Sequence, residues 1–159
     1  MSASGPRNGR NPRGDFIAKC DIKLPDEFLK KVSGLAEKTD EIVEKALQAG
    51  GEIVLDKVRS NLLSVIGSNT KVPSRSTGEL ASALGLSPAK VNREGNHDIK
   101  VGLREPRSDG GSNAKLANII EYGRHGVPAK PFLKPAKSAS KKACKEAMAA
   151  VLEEAVKNI

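Results

Sequence analysis

IEYGRHGVPAKPFLKPA, residues 120–136, is the stretch that decides how the second half of this chain folds, and we call it the elbow. It holds three of the nine prolines and the only tyrosine of the 159 residues. Gly123 can take the left-handed conformation that ends a helix after Tyr122. Pro131 or Pro135 suits the first turn of a new helix, where a missing amide donor is not needed. These signals predict a rigid connection between two helices, with bulk supplied by Tyr122, Phe132 and Leu133. We expect Phe132 to be buried.

Two patterns in the chain resemble a known protein family. Glu121-Tyr122-Gly123, followed after a short loop by Ala129-Lys130-Pro131-Phe132-Leu133-Lys134-Pro135-Ala136, resembles the signature of the tail-completion, or head-tail joining, family of long-tailed non-contractile bacteriophages. Thr77-Gly78-Glu79-Leu80 resembles a second pattern of that family. Arg124 and Lys134 stand where the family usually has Thr and Arg. Neither difference affects the glycines and prolines that determine the backbone conformation of the motif. The resemblance spans roughly residues 15 to 159.

The resemblance implies a structural protein of the virion, with no catalysis and no cofactor. Such a protein is assembled in the host cytoplasm and forms a ring, expected to be a hexamer, at the head-tail junction. Its partners would be other copies of itself, a head-side connector or stopper protein, and a tail-terminator or tail-tube protein. Non-specific contact with packaged DNA is compatible with this role.

The charge of the chain is concentrated in two places. The net charge is +8, and residues 1–14 carry three arginines and no acid. The last predicted helix begins with a lysine cluster that precedes any acidic residue, namely Lys134, Lys137, Lys141, Lys142 and Lys145. Such a run suits a solvated helix face, an acidic protein surface or DNA phosphates. The alternative function is therefore a small basic protein that binds DNA without sequence specificity, because few aromatics are present to stack on bases.

Two segments are too poor in apolar residues to order themselves. Residues 1–14 are predicted to be a flexible basic arm, and 15–159 a single domain. Residues 104–112 (REPRSDGGS) are predicted to form a protruding loop that becomes ordered through contacts outside the domain. The assembly contacts expected from these segments are Arg7, Arg10, Arg13, Arg104 and Arg107.

The apolar spacing predicts an α+β fold, in which a small, mainly antiparallel sheet packs against a long helix and a C-terminal helix. Alternation from Phe16 to Leu24 predicts a strand, and Pro25 should begin a short helix. Steps of three and four residues predict the long helix from about Asp40 to Ile66. Gly50-Gly51 in its middle indicates a bend or the close approach of another backbone, and we favour the bend.

The middle of the chain predicts a short helix and a hairpin. Ser76 and Glu79 form the pattern of a capping box for a helix over 80–84 that ends at Gly85. A hairpin should follow, with strands at 89–93 and 98–103 and a turn at 94–97. Asn113 is expected to cap the helix that reaches Tyr122. The last helix, from about 132 or 135 to 158, should bury Leu133, Ala136, Ala143, Ala147, Val151, Leu152 and Ala155.

Few residues could carry chemistry. His97 and His125 are expected in surface loops, and neither they nor Cys20 and Cys144 have partners at metal-ligand spacing, so we predict no metal site. Glu121 is expected to form a structural or inter-subunit ion pair with Arg124, His125 or Lys130. Two cysteines are too few for a disulfide framework, which predicts a reduced, cytosolic protein. No apolar stretch of about 18 residues or signal-peptide core is present, which predicts no membrane contact.

Overall fold

The computed structural model describes residues 20–23, 25–26, 39–68 and 76–157. Four strands and four helices follow one another in these residues, in the order β1 (Cys20–Ile22), α1 (Thr39–Val65), α2 (Glu79–Ser82), β2 (Leu84–Leu86), β3 (Lys90–Val91), β4 (His97–Leu103), α3 (Asn113–Tyr122) and α4 (Leu133–Lys157). The predicted α+β class is confirmed. The basic arm, most of the predicted N-terminal strand and most of the helix expected after Pro25 lie outside the described residues.

The sheet is built around β4, which pairs antiparallel with β1 on one side and with β2 and β3 on the other. Leu86 lies opposite Val101, and Lys90 lies opposite Asp98. The chain advances four residues from Leu86 to Lys90 but only three from Asp98 to Val101, so the segment from 86 to 90 contains a bulge. Because of it, β2 and β3 are two segments of one interrupted hairpin strand.

The central helix, α1, is confirmed close to its predicted limits. Its buried side follows the predicted spacing, and Gly50 and Gly51 are both buried within the continuous helix. A Cβ on Gly50 would lie 2.7 Å from Met148 Cγ, and one on Gly51 would lie 3.0 Å from Leu86 Cδ2. The helix is unbroken through both glycines, and the atoms that approach them belong to side chains rather than to another backbone. The glycines allow side chains of α4 and of the sheet to approach α1 on adjacent faces.

α4 runs antiparallel to α1 and buries residues at every fourth position, namely Ala136, Ser140, Cys144, Met148 and Leu152. The Asn61 side chain of α1 donates to Phe132 O at the start of α4, whereas Gly50 meets Met148 farther along. The predicted buried side was partly wrong, since Ala143 is exposed. Ser140 takes a core position because its hydroxyl donates to Ala136 O at 2.7 Å, which satisfies the buried polar group.

Several predicted boundaries between α1 and α3 were wrong. The capping box does not form, because Gly78 occupies the N-cap position of α2 and receives no side-chain cap. The short helix ends at Ser82, and Gly85 lies inside β2. The hairpin turn spans 92–96, where Asn92 Oδ1 accepts the amides of Glu94 and Asn96.

Candidate functional site

The elbow begins where α3 ends. Gly123 has φ 74° and ψ 179°, so its φ is positive as expected but its backbone is extended rather than left-handed helical. A Cβ there would lie 2.7 Å from Val127 O and 2.8 Å from Ala129 N. Arg124 and Val127 exchange two backbone hydrogen bonds across a turn, and the Lys130 amide donates to Ile120 O at 2.7 Å. Only glycine permits this return of the chain onto the end of α3.

Glu121 caps the N-terminus of α4. Its carboxylate is 2% exposed and accepts the amides of Phe132 at 2.7 Å, Leu133 at 2.9 Å and Lys134 at 3.1 Å. A negative charge at this position also interacts favourably with the positive end of the helix dipole. The predicted ion pair was therefore wrong: the partners of the carboxylate are backbone amides.

The remaining amides of the first turn of α4 are also accounted for. The first four N–H groups of a helix have no acceptor within the helix. Pro135 has no N–H, and the Ala136 amide bonds to Phe132 O at 3.4 Å. The expectation that Pro135 suits the first turn is confirmed. Glu121 and Pro135 together explain how this helix begins inside the structure.

Phe132 and Tyr122 take opposite positions in the elbow. Phe132 is fully buried in the core, as predicted, and its carbonyl accepts from Asn61 Nδ2 at 3.2 Å. Tyr122 is 64% exposed, so the prediction that it adds bulk to the packing was wrong. Its ring lies 5.4 Å from Lys134 Nζ, at cation–π distance. Leu133 is half-buried against the core.

An apolar groove of about 380 Å³ separates the elbow from α2 and the end of α1. Its walls include Ile66, Leu80, Leu116, Ile120, Val127 and Pro128. The Lys130 ammonium group lies at its edge and donates to Ser68 O. Val127 is 39% exposed and His125 is exposed in the turn. The elbow thus exposes apolar side chains on a backbone that hydrogen bonds within the chain hold in place.

The 104–112 loop is held by contacts within the chain. Glu79 accepts the Ser108 amide at 2.6 Å and the Ser108 hydroxyl at 2.8 Å. These bonds, the amide first, hold the pKa of the Glu79 carboxyl below its ordinary value of 4.5. Glu105 accepts the Ser112 hydroxyl and the Ala114 amide at the other end of the loop. The expectation that the loop needs outside contacts for its order is therefore not met.

The predicted assembly arginines separate into three groups. Arg104 is exposed, and Arg107 pairs with Asp109 at 2.9 Å. Arg7, Arg10 and Arg13 lie outside the described residues.

The helix that follows the loop begins one residue earlier than predicted, because Ser112 is the N-cap and accepts the Lys115 amide. Asn113 is buried instead and donates to Arg104 O at 2.8 Å.

The lysine cluster of α4 is exposed throughout, but its members have different surroundings. Lys134 lies by Tyr122, and Lys142 lies 3.8 Å from Glu146. Lys137, Lys141 and Lys145 follow one another at four-residue steps and border a groove against β1. These three form the part of the cluster available to a partner.

The candidate metal ligands are scattered through the structure. His97 is the first residue of β4 rather than part of a turn, and its side chain is only 17% exposed. Its Nε2 lies 3.2 Å from Asp40 Oδ1, which corrects the surface-loop prediction. Cys144 is buried against Gly50. In the described ranges no group of three or more His, Cys, Asp or Glu side chains could hold a metal ion.

Comparison with protein families gives a match. The family described as "Bacteriophage HK97-gp10, putative tail-component" matches residues 26–123, more than half of the chain. The chain belongs to the HK97-gp10-like family of phage tail components. The family resemblance predicted from the sequence is confirmed, and the matched range includes Glu121-Tyr122-Gly123 but ends before the Pro131–Ala136 motif. No curated protein and no solved structure matches the chain significantly.

Family membership assigns the chain a structural role in the phage tail, and therefore a place in the virion. Among the described helices, none is long and apolar enough to cross a membrane.

Proposed function

We propose that this chain is a tail-completion protein that forms a ring, expected to be a hexamer, at the interface between phage head and tail. In this role it joins a head-side connector or stopper protein to a tail-terminator or tail-tube protein, without catalysis or a cofactor. It is assembled in the host cytoplasm and remains at the head-tail junction of the virion. The role in the phage tail rests on the family match, and the proposed place at the head-tail junction rests on the elbow.

The observation that carries the proposal is the exposed Tyr122 on a fixed support. Interface energy concentrates in aromatic side chains held in place before binding, since little conformational entropy is then lost. Gly123 and the buried Glu121 carboxylate fix the backbone on which Tyr122 stands. Three of the five exposed large hydrophobic side chains in the described regions, Leu63, Tyr122 and Val127, lie at the end of α1 or in the elbow. We assign the elbow the contact with a partner protein of the junction.

Genetic complementation tests this role. A phage that lacks the protein should accumulate separate heads and tails in electron micrographs, and the wild-type chain supplied in trans should restore joined particles. Tyr122→Ser should weaken the contact about tenfold, the effect of losing one interface anchor of about 1.4 kcal/mol, and should thereby lower the yield of joined particles. Val91→Ser is the matched control, because Val91 is 59% exposed but lies in the hairpin. Joined, infectious particles formed without the protein would refute the proposal.

The basic arm gives a second test. Deletion of residues 1–14 should leave the thermal unfolding transition nearly unchanged and reduce head-tail joining, because Arg7, Arg10 and Arg13 are proposed to contact acidic neighbours. Normal joining by the shortened chain would remove the arm from the proposal.

The exposed row Lys137, Lys141 and Lys145 favours the second candidate, electrostatic binding of DNA. Contacts to many phosphates weaken steeply with salt, whereas a ring contact that also buries apolar side chains weakens less. Binding to random duplex DNA, measured by fluorescence anisotropy at 50 and 200 mM salt, separates the two. A ring that persists at the higher salt while DNA binding disappears supports the structural role.

A further inference from the structure

The groove between β1 and the first half of α4 combines an apolar floor with a basic rim. It has a volume of about 210 Å³, and Ile22, Val54 and Met148 contribute to its floor. Four exposed lysines border it, namely Lys23, Lys137, Lys141 and Lys145. Across the parts of the chain that the structure describes, no carboxylate lies within 4.0 Å of these four ammonium groups. We call this feature the lysine groove.

The order of charges along α4 is opposite to the order that stabilises a helix. Acids are favourable near a helix N-terminus and bases near its C-terminus. α4 instead has five lysines before its first acid, Glu146, and it carries Glu153 and Glu154 close to its end, although its last residue is Lys157. The buried Glu121 serves the N-terminus of the helix. The helix dipole therefore gives no stabilising role to the early lysines, and Lys137, Lys141 and Lys145 are exposed to an acidic partner.

An acidic surface of matching character lies at the other end of the same helix pair. α1 and α4 are antiparallel and have the same rise per residue, so the start of α1 and the end of α4 lie at the same level. Glu41, Glu44, Glu153 and Glu154 are exposed there and outnumber the two exposed lysines of the same stretches, Lys45 and Lys157. Val156 is 47% exposed and lies three residues after Glu153, on a neighbouring position of the helix surface. This acidic end therefore offers an apolar side chain beside a carboxylate, the complement of an apolar floor bordered by lysines.

We propose that the acidic end of one copy docks into the lysine groove of the next copy, with Val156 on the apolar floor and Glu153 and Glu154 facing Lys141 and Lys145. The two surfaces differ, so the contact is head-to-tail, and its repetition closes a ring when the rotation between copies allows it. The inference rests on the ring of the proposed function and names the surfaces that join its subunits. The charge pairs also set the order of the copies, because reversed pairing would bring like charges together.

Charge reversal in two separate variants tests the contact. One variant carries Lys141→Glu and Lys145→Glu, and the other carries Glu153→Lys and Glu154→Lys. Each should raise the protein concentration at half-assembly about tenfold or more in light scattering and mass photometry. An equimolar mixture should restore rings, because each groove then meets an end of opposite charge in an alternating ring. Lys142→Glu is the control, since Lys142 lies outside the groove and faces Glu146.

The outcomes separate this contact from the ring itself. Circular dichroism confirms folding of each variant, and Lys141→Gln with Lys145→Gln gives a milder change at the same positions. Rings that form normally from either reversed variant would overturn the contact and leave the proposed ring standing. Loss of rings without recovery in the mixture would also overturn it, because the two groups of charges would then not face each other. A wild-type chain that is monomeric both in solution and in particles would refute the proposed ring itself, and this contact with it.

Discussion

Replacement of Glu121 is the sharpest test of how the elbow is held together. Glu121→Ala removes the acceptor of three amides, those of Phe132, Leu133 and Lys134. A buried donor left without a partner costs about 1–3 kcal/mol. The Phe132 bond is fully buried, whereas the other two amides are partly buried and can recover water. We therefore expect the free energy of unfolding to fall by about 2–4 kcal/mol.

Two further variants separate the charge of Glu121 from its shape. Glu121→Gln keeps the size of the side chain but loses the charge and turns an amide donor toward backbone donors, so a loss of about 1–2 kcal/mol is expected. Glu146→Ala is the matched control on the exposed side of α4, where the carboxylate lies 3.8 Å from Lys142. It should change stability by no more than about 0.5 kcal/mol.

Urea unfolding followed by circular dichroism at a single wavelength measures all three variants. Equal slopes against urea would show that the differences arise in stability rather than in the compactness of the unfolded state. If Glu121→Ala unfolds at the urea concentration of the wild type, the capping role deduced from the three hydrogen bonds is wrong. If Glu146→Ala loses as much as Glu121→Ala, the effect belongs to acidic residues in general and not to the cap.

Three further predictions follow from the packing and the loop. Phe132→Ala should lower the free energy of unfolding by about 3 kcal/mol or more, because the side chain is fully buried, and an unchanged melting temperature would contradict this. Gly50→Ala should destabilise by about 1 kcal/mol or more through its contact with Met148, whereas stabilisation by about 1 kcal/mol in urea unfolding would show that the contact is absent. The Ser108 amide resonance should titrate with a midpoint below 4.5 and lose this titration in Glu79→Gln. Because the pKa of Glu79 is lowered in the folded chain, its tether is complete above the ordinary value and is lost as the pH falls through the lowered one.

Local signals were sufficient where the structure depends on nearby residues. The spacing of apolar residues in α1 located that helix to within a residue at each end. Gly123 and Pro135 marked the end of α3 and the start of α4, because a positive φ and a missing amide are properties of single residues. The burial of Phe132 followed from its position between two prolines in a chain with few aromatics.

Contacts between distant residues could not be read in the same way. The acceptors offered by Glu121 lie eleven to thirteen residues from the amides they bind, and only the turn of the chain brings them together. Ser140 was not among the predicted buried residues, and its polar hydroxyl is satisfied in the core by a carbonyl one turn earlier. The tether between Glu79 and Ser108 joins segments 29 residues apart, and a capping pattern in the sequence pointed elsewhere.

Two adjacent residues of the elbow have different roles: one stabilises the fold and the other is exposed to a partner. Glu121 is buried and binds the first turn of α4, while Tyr122 is 64% exposed. A side chain of α3 thus fixes the start of α4, and the next residue of α3 presents the aromatic ring. Any loosening of the cap would therefore release Tyr122 as well, and binding would then have to order it again at a cost. For this reason Glu121→Gln should weaken head-tail joining at temperatures where the chain is still folded, whereas Glu146→Gln should not. Normal joining by folded Glu121→Gln particles would show that the cap serves stability alone.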